Sequence, residues 1–229
     1  MSAGRFDPNS TEALPFSNRT EAGQLLGQAL MHHAGREDVI VLALPRGGVP
    51  VAFEVARMIG ASLDLMIVRK LGTPGHEELA MGAIATGGAR VLNQDIVESL
   101  GIREDAIEAV ARREMQEIER RDRAYRGNRP APRVEGRRVI LVDDGLATGA
   151  TMRVAVEALR QQRPARIVIG VPVAPAETIA LLHHEADEVV CLATPEPFFA
   201  IGYWYRDFAQ TSDKEVEELL ARAWEKTCN

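Results

Sequence analysis

One stretch constrains the fold of this chain more than any other: Val139-Ile140-Leu141-Val142-Asp143-Asp144-Gly145-Leu146-Ala147-Thr148-Gly149-Ala150-Thr151. Four consecutive apolar residues suit a strand buried on both faces, the condition of an interior strand in a parallel sheet. Two carboxylates follow where that strand leaves the sheet. A loop with two glycines and two threonines then opens a helix. Such a turn points backbone N–H groups at an anion, and the helix dipole favours negative charge there. Hydroxyls of Thr148 and Thr151 add donors. The two acids suit a different task, since carboxylates accept hydrogen bonds from a vicinal diol. Acid pair followed by small-residue loop therefore describes a sugar phosphate held at both ends. An Asp-Asp pair alone would be an ordinary strand exit, and a lone threonine there an ordinary helix cap. It is the order of the pieces that points to a ligand.

Short apolar runs alternate with amphipathic stretches along the rest of the chain, the pattern of βα units around a parallel sheet. Helices are expected over 20–33, 49–59, 149–161, 176–184 and 213–226, and strands over 39–44, 63–68, 138–142, 167–171 and 188–192. The basic pair Arg69-Lys70 is expected to close the second strand at the same sheet edge as the acids. The rhythm breaks at the turn Gly72-Thr73-Pro74-Gly75. A loop with a short hairpin over 77–90, a charged helix over 103–125 and a Gly/Pro connector over 126–137 follow. The expectation is one α/β domain over 1–229, its core at about 20–192. An inserted, partly mobile segment occupies about 72–136, and a C-terminal tail occupies 193–229.

A second phosphate element follows the first strand: Leu44-Pro45-Arg46-Gly47-Gly48-Val49-Pro50. The glycines let backbone approach a ligand closely, Arg46 offers a planar fork, and a helix starts at once. No Lys follows the glycines as in a P-loop, and no G-x-G-x-x-G is present.

The 139–151 segment resembles the 5-phosphoribosyl-1-pyrophosphate (PRPP) motif of type I phosphoribosyltransferases, and the βα order of about 39–192 is similar to theirs. The resemblance implies an open parallel sheet flanked by helices, carrying an inserted loop, hairpin and helix segment and a small hood from the termini. It implies that Asp143 and Asp144 bind the ribose hydroxyls, while Gly145, Leu146, Ala147, Thr148, Gly149, Ala150 and Thr151 hold the 5-phosphate. The 45–48 turn is similar to the family's pyrophosphate loop, which contains a non-proline cis peptide. Carried over, that bond is Pro45–Arg46 or Arg46–Gly47, with the second expected, and Arg46, Gly47 and Gly48 contact pyrophosphate. One of Arg69 and Lys70 is expected on the pyrophosphate, Lys70 before Arg69. Its charge implies Mg²⁺, bound mainly by phosphate oxygens and reaching Asp143 or Asp144 through water.

The activity implied is transfer of the 5-phosphoribosyl group to a nitrogenous acceptor with release of pyrophosphate. The alternative is a PRPP-sensing regulator that does no chemistry. Family members that use oxopurines carry an acid three residues past the second acid; here that residue is Ala147, which argues against hypoxanthine or guanine. Glu77 and Glu78, with His76, are candidates for a general base, on a loop (Gly72 to Gly88) hinged at Arg69-Lys70. The tail gathers most of the aromatics, and Phe199, Tyr203 and Trp204, with Asp207, are candidates to stack the acceptor and read its edge. A core lid or a dimer contact is the alternative use of the same residues.

Composition closes off other classes. At −6 net charge over 229 residues, no dedicated nucleic-acid surface is expected. Neither a signal peptide nor an apolar run of membrane-spanning length is visible. Two cysteines, Cys191 and Cys228, make no disulfide framework and favour a cytoplasmic protein. Small-molecule substrates and a homodimer are the expected partners. The pairs His32-His33 and His183-His184 read as surface residues at helix ends, without partner carboxylates.

Overall fold

In the computed structural model, which describes residues 14–225, the run Val39–Ala43 forms β1, buried along its whole length. It lies between β2 (Ser62–Leu65) and β6 (Arg138–Val142), and β7 (Arg166–Val173) and β8 (Glu188–Ala193) complete a five-stranded sheet in the order β2-β1-β6-β7-β8. Every pair is parallel, with Val41 beside Ile140 and Ile140 beside Val168. Period-two alternation divides these strands between two cores. Val39, Val41, Ile140 and Val142 pack with α1 (Arg19–Ala29) and α2 (Gly48–Ile59) on one face. Ile40, Leu42, Val139 and Leu141 pack with α5 (Ala150–Gln161) on the other. This is the helix-flanked open sheet expected.

The chain leaves β1 toward β2 and leaves β6 toward β7, so the winding reverses between β1 and β6. That switch point opens a crevice at the carboxyl ends of the two strands, where ligands of open α/β sheets bind. The loops that flank it are 44–47 and 143–149.

Between β2 and β6 lies the insertion, and its boundaries differ from those expected. The apolar run 63–68 is two strands rather than one: β2 ends at Leu65, and β3 (Val68–Thr73) belongs to a separate antiparallel sheet with β4 (His76–Ala85) and β5 (Arg90–Leu92). Arg69 and Lys70 are therefore inside β3, neither at the end of a central strand nor at a hinge. The 77–85 stretch lies in one strand, and Gly82 lets β5 approach it; a Cβ there would lie 2.2 Å from the Val91 carbonyl oxygen. A short helix, α3 (Gln94–Ser99), follows, and then α4 (Glu104–Arg126), which packs against β3 and the C-terminal helix α7 (Asp213–Glu225). Arg126 at the end of α4 is fully buried, its guanidinium 3.0 Å from Asp64 and donating to the Leu65 carbonyl at 2.7 Å. That contact pins the insertion to β2. α6 (Ala176–Leu182) links β7 to β8.

The histidine pair at 32–33 also departs from expectation. His33 is buried, and Nε2 of both rings meets Glu188 Oε1, at 2.6 Å from His32 and 3.3 Å from His33. Arg138 faces Nδ1 of His33 at 3.4 Å. A guanidinium can only donate, so the ring accepts at Nδ1 and carries its proton on Nε2, toward Glu188. His184 is exposed, as expected. Cys228 lies outside the described residues.

Candidate active site

The turn after β1 and the acids after β6 are pressed together. A Cβ on Gly47 would lie 2.1 Å from Asp144 Oδ2, and one on Gly48 2.8 Å from the Val142 carbonyl oxygen. Only glycine lets the two loops meet this closely. The non-proline cis peptide falls at Pro45–Arg46, not at Arg46–Gly47. Arg46 is half-buried, with Nη1 3.5 Å from Asp213 at the start of α7. Tyr125 of α4 donates to the same Asp213 oxygen at 2.6 Å.

Asp143 is half-buried and Asp144 buried. The Asp144 N–H donates to Asp143 Oδ1 at 2.8 Å, which fixes the first carboxylate. Removal from water, reinforced by the charge of Asp144, holds the Asp143 carboxyl well above the usual range. Burial raises Asp144 too, and Arg19 opposes that rise. Adjacent buried carboxylates favour whatever cationic or hydroxyl-bearing ligand relieves them.

Past the acids, Gly145 is buried beneath the tail; a Cβ there would meet Ile201 at 2.6 Å. The Leu146 N–H bonds the Val173 carbonyl and the Leu146 side chain is buried, anchoring the loop. Thr178 of α6 donates to the Ala147 carbonyl at 2.8 Å. Thr148, Ala150 and Thr151 are exposed, and Gly149 takes a left-handed conformation at φ +71° to enter α5. The N-cap residues Gly47 and Gly149 have no side chain to cap α2 and α5. At α5 the Ala150 N–H donates to Thr148 Oγ1 at 3.4 Å, and at α2 the Gly48 and Val49 N–H groups bond the Leu44 and Arg46 carbonyls just ahead of Pro50.

The insertion brings up the remaining cations unequally. Lys70 and Thr151 both line a cleft of about 710 Å³ between the small sheet and α5, together with Ala83, Val91 and Asn93. Lys70 Nζ is 3.3 Å from the Glu78 carbonyl oxygen. Arg69, one residue earlier, points to the opposite face of β3, where Glu114 of α4 takes it at 3.0 and 2.9 Å. Glu77 and Glu78 are exposed near the tip of the hairpin.

A hood does form from the two ends of the described chain. Phe16 bridges to Tyr205, and the N–H groups of Arg206 and Asp207 bond the carbonyls of Phe16 and Ser17. Tyr205 donates to the Asp144 carbonyl at 2.6 Å, which ties the hood to the acid pair. Phe199 and Tyr203 are 68% and 71% exposed, with ring centroids 5.5 Å apart. Trp204 instead packs on Phe198 against the core. Asp207 accepts from the Ala209 N–H at 3.1 Å. Sequence reasoning missed Arg19, Tyr205, Glu114 and Asp213, each joined to its partner across dozens of residues.

A parallel sheet with acids and a glycine loop at its switch point defines a phosphoribosyltransferase-type domain. The model of the phosphoribosyl transferase domain matches residues 18–206, and the chain belongs to that family. Rv0571c of Mycobacterium tuberculosis H37Rv, provisionally named a phosphoribosyl transferase, is 48% identical over 208 residues, 91% of this chain and 47% of its own. MT0597 of strain CDC 1551 matches to the same extent. The chain thus spans about half the length of these curated relatives. The crystal structure of TT1426 from Thermus thermophilus is 43% identical with a TM-score of 0.79, covering 90% of this chain and 98% of that one. Among the described residues no helix is long and apolar enough to cross a membrane.

Proposed function

We propose that this chain transfers the 5-phosphoribosyl group of PRPP to a nitrogenous acceptor and releases pyrophosphate. One observation carries the reading: the acid pair and its glycine loop meet the Gly47-Gly48 turn at the switch point, where α2 and α5 begin. In this reading the acids take the ribose hydroxyls and the 145–151 loop takes the 5-phosphate. Arg46 and the backbone of Gly47 and Gly48 receive pyrophosphate, with Lys70 closing from the hairpin. The acceptor nitrogen forms the new bond at the anomeric carbon while the bond to pyrophosphate breaks and its electron pair leaves with that group. The protein's part is to position the reactants and to stabilise the departing charge. Glu77 or Glu78 receives a proton that the acceptor loses. Phe199 and Tyr203 stack the acceptor, with Trp204 behind them and Asp207 at its edge.

The carboxylates of Asp143 and Asp144 fit a hard divalent cation, because both are hydrogen-bonded oxygens whose ionised forms lack enough compensating charge. Mg²⁺ held there through water would neutralise the pyrophosphate. We further propose a cytoplasmic homodimer in nucleotide metabolism, with one domain over 1–229.

Purified protein incubated with PRPP and Mg²⁺ against a panel of nucleobases and small amines should release pyrophosphate with at least one acceptor. Tight PRPP binding without release for any acceptor would replace transfer by sensing. Absence of PRPP binding would remove the reading altogether.

A further inference from the structure

The start of α1 reaches the acid pair through one side chain. Arg19 Nε donates to Asp144 Oδ2 at 2.8 Å, although the two residues are 125 positions apart. Nη1 of the same guanidinium donates to the Ala209 carbonyl at 2.7 Å, and its plane lies 3.9 Å from the centroid of the Phe208 ring. The Arg19 side chain is 12% exposed and that of Asp144 11%. A planar fork gripped on three sides cannot swing freely, so it fixes whatever it holds. From below, Gly47 lies against the same carboxylate, where an added Cβ would come within 2.1 Å of Asp144 Oδ2. From above, Tyr205 holds the Asp144 carbonyl at 2.6 Å.

We infer that Arg19 is a positioning residue for the ribose of PRPP: by occupying Oδ2 of Asp144 it fixes the orientation of that carboxylate and leaves Oδ1 to the sugar diol. The inference rests on the PRPP reading above. It places a single buried cation beside the two adjacent acids, a part of the compensation that a poorly hydrated site withholds. It also gives the hood a task at the ribose end of the site. Phe208 and Ala209 set the guanidinium, and the guanidinium sets the acid. Arg19 does not touch the reacting atoms in this arrangement; it acts through Asp144.

Calorimetric titration with three probes separates this role from a purely structural latch. PRPP and ribose 5-phosphate, each with Mg²⁺, contain the diol; inorganic pyrophosphate does not. Arg19→Gln should weaken PRPP and ribose 5-phosphate by the same factor, about 10- to 100-fold, and leave pyrophosphate within about twofold, as expected of a contact confined to the ribose end. Arg19→Lys, which keeps the charge but not the fork, should recover part of the loss. Melting temperatures of all three proteins report whether the fold survives. Unchanged PRPP affinity in Arg19→Gln would overturn the inference while the PRPP reading stands. So would an equal loss for all three probes, which marks a latch. Failure of the unmodified protein to bind PRPP would overturn both.

Discussion

The two edges of the central sheet are built from similar residues and are finished very differently. At the amino edge β1, β7 and β8 begin beside charge that is paired. Arg36 holds Asp38 before β1, Arg166 holds Glu188, and Arg160 holds Asp187, whose carboxylate also accepts the Ile167 N–H at 2.7 Å. Hydrogen bonds hold Asp187 and Glu188 below their ordinary range, even though burial works against them. At the carboxyl edge Asp143 and Asp144 stand above theirs. Thr148 and Thr151 are exposed there. The first edge pairs most of its charge within the protein, with Nε of Arg138 and of Arg166 left buried without a hydrogen-bond partner; under the proposed function the second is completed by a ligand. Incomplete electrostatics on an otherwise well-packed sheet mark the functional edge.

The largest effect should come from removing that incompleteness. Asp143→Asn combined with Asp144→Asn should weaken PRPP by about two to four decades, the cost of two charge-assisted hydrogen bonds. The fold should persist with a lowered melting temperature, because the amide oxygen at position 144 can still accept from Arg19 although the ion pair is lost. Calorimetry with PRPP and Mg²⁺ measures the first, a thermal melt the second. Unchanged affinity would make the two edges functionally alike and end the comparison.

Legibility followed the same division. The 139–151 segment could be read because strand, acids, loop and helix are contiguous, and the β1 and β6 runs because burial on both faces leaves an uninterrupted apolar signature. What escaped depends on distance or on sheet membership. The 63–68 run carries no mark that its first half pairs with β1 and its second with β4. Arg69 and Lys70 sit on opposite faces for the same reason that any two adjacent strand residues do, but that shows only once the strand extends past them. Arg19 gave no signal at all: an arginine in the first turn of a helix is ordinary until its partner 125 residues away is seen. His33 reads as surface until Glu188 is placed beside it.

A second comparison lies within the hood, between the exposed pair Phe199 and Tyr203 and the packed Trp204. If the exposed rings stack the acceptor, replacing both by Ala should lower acceptor affinity by about 1–3 kcal/mol, one to two decades, with PRPP affinity nearly constant. Trp204→Ala should act mainly on the melting temperature. Equal effects on stability from both substitutions, with no change in acceptor KM, would turn the exposed pair into a lid or a dimer contact.

The smallest expected effect tests the amino edge. Burial holds the His33 imidazole below its ordinary pKa, and the positive charge of Arg138 and the neighbouring His32 ring push the same way; only Glu188, itself also engaged by Arg166, pulls it up. The folded protein therefore keeps His33 neutral at a pH where the unfolded chain already takes up a proton. A group depressed on folding contributes stability above its unfolded pKa, about 6.5, and loses it as the pH falls toward the folded value. Between pH 7.5 and 5.5, above the range where Glu188 titrates, wild-type stability should drop with a slope approaching one proton, about 1.4 kcal/mol per pH unit at most. In His33→Gln the amide can still donate to Glu188 and accept from Arg138 but does not titrate, so its melting temperature should change less across the same interval. PRPP affinity should be the same in both proteins at pH 7.5, since the cluster lies at the far edge of the sheet. Parallel pH profiles for the two proteins would show that His33 takes up its proton alike in the folded and the unfolded chain, and the contrast between the two edges would lose its support at this residue.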